Sequence, residues 1–122
     1  MTFQDLNESE RLVLVAALGC AIASDARVSE AEHEVIRRVA TALGDDAYRA
    51  LAAECGRRFQ DEQDLLMFAS VVERPAAREL IYETVLEAAL PEAIDAREAD
   101  LLERLAKLWD LQVRFEPPSG TR

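Results

Sequence analysis

Three carboxylates have the spacing that could do chemistry. Asp25 falls at the end of an apolar helical stretch, and Glu32 stands in the first turn of the next one. Glu98 takes the equivalent place in the second half of the chain. A tight loop would bring Asp25 and Glu32 together, and Glu98 joins them if the two halves pack about a pseudo-twofold axis. Oxygen ligands gathered in this way suit a hard divalent cation, Ca²⁺ or Mg²⁺. The loop is not an EF-hand. That motif alternates ligands and has glycine at its sixth position, whereas Ala26 and Arg27 follow Asp25 and Glu30 takes the sixth place here. A second reading competes with the first. A glutamate at the third helical position reaches back to the N-cap backbone and favours the positive helix end. Capping chemistry is enough for Glu32 and Glu98. Asp25 is less easily explained by a cap, and could instead pair with Arg27 or accept from loop N–H groups.

Other reactive residue types lack the company that chemistry requires. His33 is the single histidine, with no second His or Cys nearby to build a zinc site. Cys20 and Cys55 form no Cys-x-x-Cys pair and sit in apolar helical contexts, where a thiol packs as a small hydrophobe. Ser24, Ser29 and Ser70 have no Gly-x-Ser-x-Gly surroundings, and no glycine-rich phosphate loop occurs. The doublets Arg37-Arg38 and Arg57-Arg58 read as solvated helix faces. No catalytic or cofactor-binding residue is assigned, and the expectation is a protein that is not an enzyme.

Composition narrows the partners. The chain has 122 residues, enough for one domain with one core. Half of it is hydrophobic and 31% is charged, as in soluble globular proteins. Asp and Glu number 24 against 14 Lys and Arg, a net charge of −10. Such a field disfavours nucleic acid, and an anionic membrane surface unless a cation bridges the two. From Asp61 onward the balance is 14 acids to 7 bases, so a cationic partner is expected first at the C-terminal hairpin. Met1 to Glu10 is polar and carries no secretory signal. The apolar stretch Leu12–Ala23 falls short of the roughly 20 residues that span a bilayer. A cytoplasmic protein is expected. Lys107 is the lone lysine amid much Ala and Arg, which suggests a GC-rich, bacterial coding sequence.

These candidates must be positioned by helices. Asn7 caps the first with Glu10 at its third position, and Leu12 to Ile22 is apolar nearly all round, marking the buried central helix. Ser29 and Glu32 open a second, which turns Val35, Ile36, Val39, Ala40 and Leu43 inward and stops at Gly44. Asp45 or Asp46 caps a third, with Tyr48, Leu51, Ala52 and Cys55 inward. Asp61 caps a fourth, carrying Leu65, Leu66, Ala69 and Val72. Pro75 starts a fifth, and Asp95 caps a sixth whose Leu101, Leu102, Leu105, Leu108 and Trp109 face the core. Phe59, Met67, Phe68 and Phe115 have no clear place in these stripes. An exposed cluster of them would mark a partner surface.

The pattern repeats. Val28 through Leu43 aligns without a gap on Ile94 through Trp109, and upstream Val15 falls on Ile81 and Ala23 on Ala89. Each unit is a long apolar helix, a short loop, a capping box and an amphipathic helix. The predicted fold is all-α: a single compact bundle of about six helices built from two similar helix-loop-helix units over residues 1–116. Residues 117–122 are expected to be a flexible tail.

The stretch Ala23-Ser24-Asp25-Ala26-Arg27-Val28-Ser29-Glu30-Ala31-Glu32 resembles the TerB-like domain family of bacterial tellurite-resistance proteins. The family pattern has a small residue, Asp, usually Gly, an aliphatic, a cap and a Glu. Asp25, Val28, Ser29 and Glu32 occupy those places, and Ala89 to Leu105 resembles the family's second half. The usual Gly is Ala26, and the second copy has Pro91 and Glu92 at the Asp and Gly places. The resemblance spans roughly Leu6 to Leu111. It implies an all-α fold, a stress-response or metal-resistance context, proximity to membranes in some members, and acidic residues that bind cations. The leading expectation is a non-enzymatic cytoplasmic stress-response or sensing adaptor. It would act through a protein partner or as a homo-oligomer, with a divalent cation at Asp25, Glu32 and Glu98. The alternative is a plain interaction domain without metal, and an enzyme using paired carboxylates is the weakest reading.

Overall fold

The computed structural model describes residues 1–23, 30–89 and 96–111, leaving aside the side chains at 21–23, 31, 89 and 96–98. After a 3-10 turn at Phe3–Asp5 come α1 (Glu8–Ala23), α2 (Glu30–Leu43), α3 (Asp45–Arg58), α4 (Glu62–Ala69), α5 (Pro75–Ala89) and α6 (Ala96–Trp109). No strand occurs among the described residues, and the architecture is the expected all-α bundle. No helix among them is long and apolar enough to cross a membrane. The expected tail at 117–122 and the expected caps at Ser29 and Asp95 lie outside the described residues.

Local chemistry sets the described helix ends. Asn7 Oδ1 accepts from the Glu10 N–H at 2.8 Å, and Glu10 Oε1 accepts from the Asn7 N–H at 2.8 Å, a reciprocal cap. Asp61 Oδ1 accepts from the Asp64 N–H at 3.0 Å, and Pro75 opens α5 where no N–H is needed. Gly44 joins α2 to α3 alone: its N–H donates to Ala40 O and its own carbonyl accepts from the Tyr48 N–H, each at 2.8 Å. Its φ of 98° is a conformation that glycine adopts without strain. The cap of α3 is therefore Gly44, not Asp45 or Asp46, which instead occupy the first turn, where negative charge favours the helix end. At the end of α6, Asp110 adopts a left-handed φ of 60° and the Leu111 N–H donates to Ala106 O at 2.7 Å. This closes the helix with a Schellman-type turn and lays Leu111 against the core.

Burial ranks the helices. Every residue from Leu12 to Leu18 is buried, so α1 is the central element its composition predicts. Helices α3, α4, α5 and α6 all pack against it, and α2 packs on α5 and α3. The second apolar helix, α5, buries Ile81, Tyr82 and Val85. Trp109 is 2% exposed and its indole N–H donates to Ala69 O at 3.1 Å, tying α6 to the end of α4. The repeat extends to the boundaries: Glu30 and Ala96, Leu43 and Trp109, and Ala23 and Ala89 each lie 66 positions apart.

Two expected core faces differ. Leu108 is exposed, because it falls at the edge of the α6 stripe beyond Leu101. No residue of α3 is fully buried: Tyr48, Leu51 and Cys55 are half-buried and Ala52 is exposed. α3 packs on α1 and α2 and meets α4 through Arg58 and Phe68, yet buries none of its residues fully.

Candidate functional site

Of the three predicted carboxylates, the described residues place one. Glu32, at the third position of α2, is 2% exposed. Glu10 holds the same station in α1, is 1% exposed, and serves the cap. That parallel supports the capping reading of Glu32. Asp25 lies outside the described residues, as does the side chain of Glu98. Among the described residues, no three or more His, Cys, Asp and Glu side chains group closely enough to hold a metal ion. His33 is exposed.

The surface relief gathers around α3. An open groove of about 530 Å³ runs along each of its flanks. One groove is basic at its rim. Arg11 approaches from α1, and Arg57 and Arg58 from α3, with Glu8 and Glu54 between them. Glu54 Oε1 accepts from Arg57 at 2.6 Å and its Oε2 from Arg58 Nη2 at 3.1 Å. Those two guanidiniums hold the Glu54 carboxyl below its ordinary range, Arg57 more than Arg58. Arg58 also lies over the Phe68 ring, 5.3 Å from its centroid, and Phe68 meets Phe59 at 5.4 Å with the rings tilted 54°. Phe59 and Phe68 are thus half-buried mortar between α3 and α4. Met67, 68% exposed, is the one of the unplaced hydrophobics that stands free; Phe115 lies outside the described residues.

The other groove is lined chiefly by apolar side chains of α1, α3 and α4, with Gln60, Asp61 and Glu62 at one end. Both cysteines line it. Cys55 Sγ donates to Leu12 O at 3.5 Å. Burial, then the nearby Cys20 and Glu54, push the Cys55 thiol up to about 11. A thiol with that value is a packing group at neutral pH and a poor nucleophile, in keeping with the sequence reading. Its alkylation by iodoacetamide at pH 8 is expected to run at least about tenfold slower than that of a free cysteine, since lower thiolate content outweighs the gain in nucleophilicity. Mass-spectrometric time courses on the folded and the urea-unfolded chain check this; equal rates would contradict the placement.

Sequence reasoning missed both grooves. Its signal for them was weak: α3 carries Ala at positions 47, 50, 52 and 53, too little apolar side chain to fill the space on either flank. Comparison with protein-family models, with curated proteins and with solved structures found no match to this chain.

Proposed function

We propose that the protein is a non-enzymatic, cytoplasmic helical adaptor of the TerB-like kind, working in a stress response by binding a protein partner. The observation that supports this reading is α3, a 14-residue helix with no fully buried residue and an open groove on either flank. A helix so placed offers side chains and concave surface to a partner without disturbing the core. The lack of an assembled catalytic set in the sequence agrees with it.

Site-specific photo-crosslinkers test the proposal in the protein's own host cells. Placed at Ala47 in the arginine-rimmed groove or Ala52 in the apolar one, they are expected to yield a discrete adduct with another protein. The same group at Glu103, exposed on α6, gives none. No protein adduct from either α3 position, with stress applied, overturns the adaptor reading. The cation is tested apart from it. Calorimetric titration with Ca²⁺ and Mg²⁺ is expected to give heat that disappears in the Asp25→Asn, Glu32→Gln double variant. No heat, or heat unchanged in that variant, removes the cation and leaves the adaptor.

A further inference from the structure

The groove between α1, α3 and α4 has the properties of a seat for a helix. Its lining includes small residues, Ala16 and Gly19 on α1 and Ala52 and Gly56 on α3, beside the larger Tyr48, Phe59 and Leu65. Both glycines are helical and exposed, with no positive φ to require glycine. A Cβ added to either would meet nothing within 4 Å. Glycine inside a helix is less stable than alanine, so neither the backbone nor the packing of this fold explains the choice. What both glycines do is keep the groove open.

The repeat supplies a comparison within the same chain. At the interval of 66 residues relating the halves, Ala16 corresponds to Tyr82 and Gly19 to Val85. Tyr82 and Val85 are fully buried. On its central apolar helix the first half thus carries small residues at two stations where the second half carries buried larger ones.

Charge indicates what fits. The groove's lining carries two carboxylates, Asp61 and Glu62, the second of them 3.9 Å from Arg104 of α6, and no lining cation among the described residues, whereas the groove across α3 has three arginines. Behind it stands a molecule of net charge −10. A largely apolar lining with an acidic end, in an acidic field, complements a helix that is apolar on one face and basic on the other.

We propose that this groove binds a basic amphipathic helix of a protein partner, laid across Gly19 and Gly56 with its cationic residues toward Asp61. The proposal rests on the adaptor reading above and gives that reading a site and a partner chemistry.

The probe is a fluorescein-labelled peptide of about 18 Leu, Ala and Lys residues with one apolar stripe at helical spacing. Two controls go with it, a scrambled peptide of the same composition and a version with Glu in place of Lys. Fluorescence anisotropy is expected to show the striped basic peptide binding at least about tenfold more tightly than either control. The double variant Gly19→Gln, Gly56→Gln puts polar bulk on the floor using a better helix former. It is expected to unfold at or above the wild-type temperature while losing at least about tenfold in affinity. Asp61→Asn keeps a competent cap and removes only charge, and is expected to weaken binding several-fold. Equal binding of the scrambled peptide, or undiminished affinity in the glycine double variant, overturns the proposal. So does a dimer in sedimentation that the double variant abolishes, which would give the groove to a second copy of the chain. Adducts from Ala52 that persist in the double variant would leave the adaptor reading standing and sink only this groove.

Discussion

Truncation of Trp109 to alanine is expected to cost about 4 kcal/mol, the largest effect of any single substitution considered for this chain. The residue is 2% exposed at the last turn of α6, and its removal takes away a large apolar surface and leaves a cavity that the flanking helices cannot fill by small shifts. It also takes away the donor to Ala69 O, leaving a carbonyl at the end of α4 without that partner. For a domain of this length such a loss lowers the melting temperature by roughly 12–20 °C. Circular dichroism is the measure, since Trp109 is the only tryptophan and the variant has no indole signal. Trp109→Phe separates the two contributions: it keeps most of the volume and loses the hydrogen bond, and should cost about 1–2 kcal/mol. Equal losses for Ala and Phe would show that the hydrogen bond, not the packing, holds α6 to α4.

Replacing Glu10 by alanine is expected to cost about 3 kcal/mol, from the lost cap and the lost charge-assisted hydrogen bonds together. The Glu10 carboxylate is enclosed and fully engaged. Its Oε1 accepts from the Asn7 N–H and from Arg74 Nη2, and its Oε2 accepts from Arg74 Nε at 2.9 Å. Arg74 also donates to Asp5 O at 3.0 Å, so one guanidinium fastens the N-terminal turn, the start of α1 and the start of α5. Hydrogen bonding to Arg74 is the main cause that holds the Glu10 carboxyl below its ordinary range, against the opposing effect of burial. The sign of the pH effect follows. A carboxyl whose folded value is depressed contributes stability that is complete above its unfolded value, near 4.5, and is lost as pH falls through the folded value. Urea midpoints measured from pH 7 to pH 3 should therefore fall more steeply below pH 4.5 in the wild type than in Glu10→Gln, which keeps a cap acceptor but cannot ionise. Parallel curves for the two proteins would mean that the ion pair does not stabilise the fold.

The elements were legible because their determinants are local. Asn7 with Glu10, Asp61 with Asp64, Pro75 and Gly44 act over one to four residues, and each marks a helix boundary that the structure shows. The apolar run of α1 announced its own burial, since a helix without a polar face must be covered on all sides. The internal repeat was visible for the same reason, and its helices recur at the interval that the alignment of residues 28–43 on 94–109 requires. The candidate site was much less legible. Glu32 was singled out as a ligand or a cap, and its near-complete burial at the station that Glu10 uses for capping was decided by the packing of α2. Tyr48, Leu51 and Cys55 have the spacing of a core face, yet they remain half-buried. Helical periodicity says which side of a helix is apolar but not how deeply its neighbours admit it.

By itself, then, the sequence determined the all-α class, the helix boundaries at Asn7, Gly44, Asp61 and Pro75, the central place of α1 and the twofold repetition, all from interactions within a turn or two of the chain. Only the tertiary structure decided that α3 keeps no fully buried residue, that Ala16 and Gly19 line a groove while Tyr82 and Val85 are buried, and that Arg74 closes on Glu10 from 64 residues away. The physical reason is the range of the forces involved. Caps and hydrophobic stripes are written in neighbouring residues, whereas a groove is the volume left over when several helices compete for the surface of one. That competition is resolved only by contacts between residues far apart in the chain.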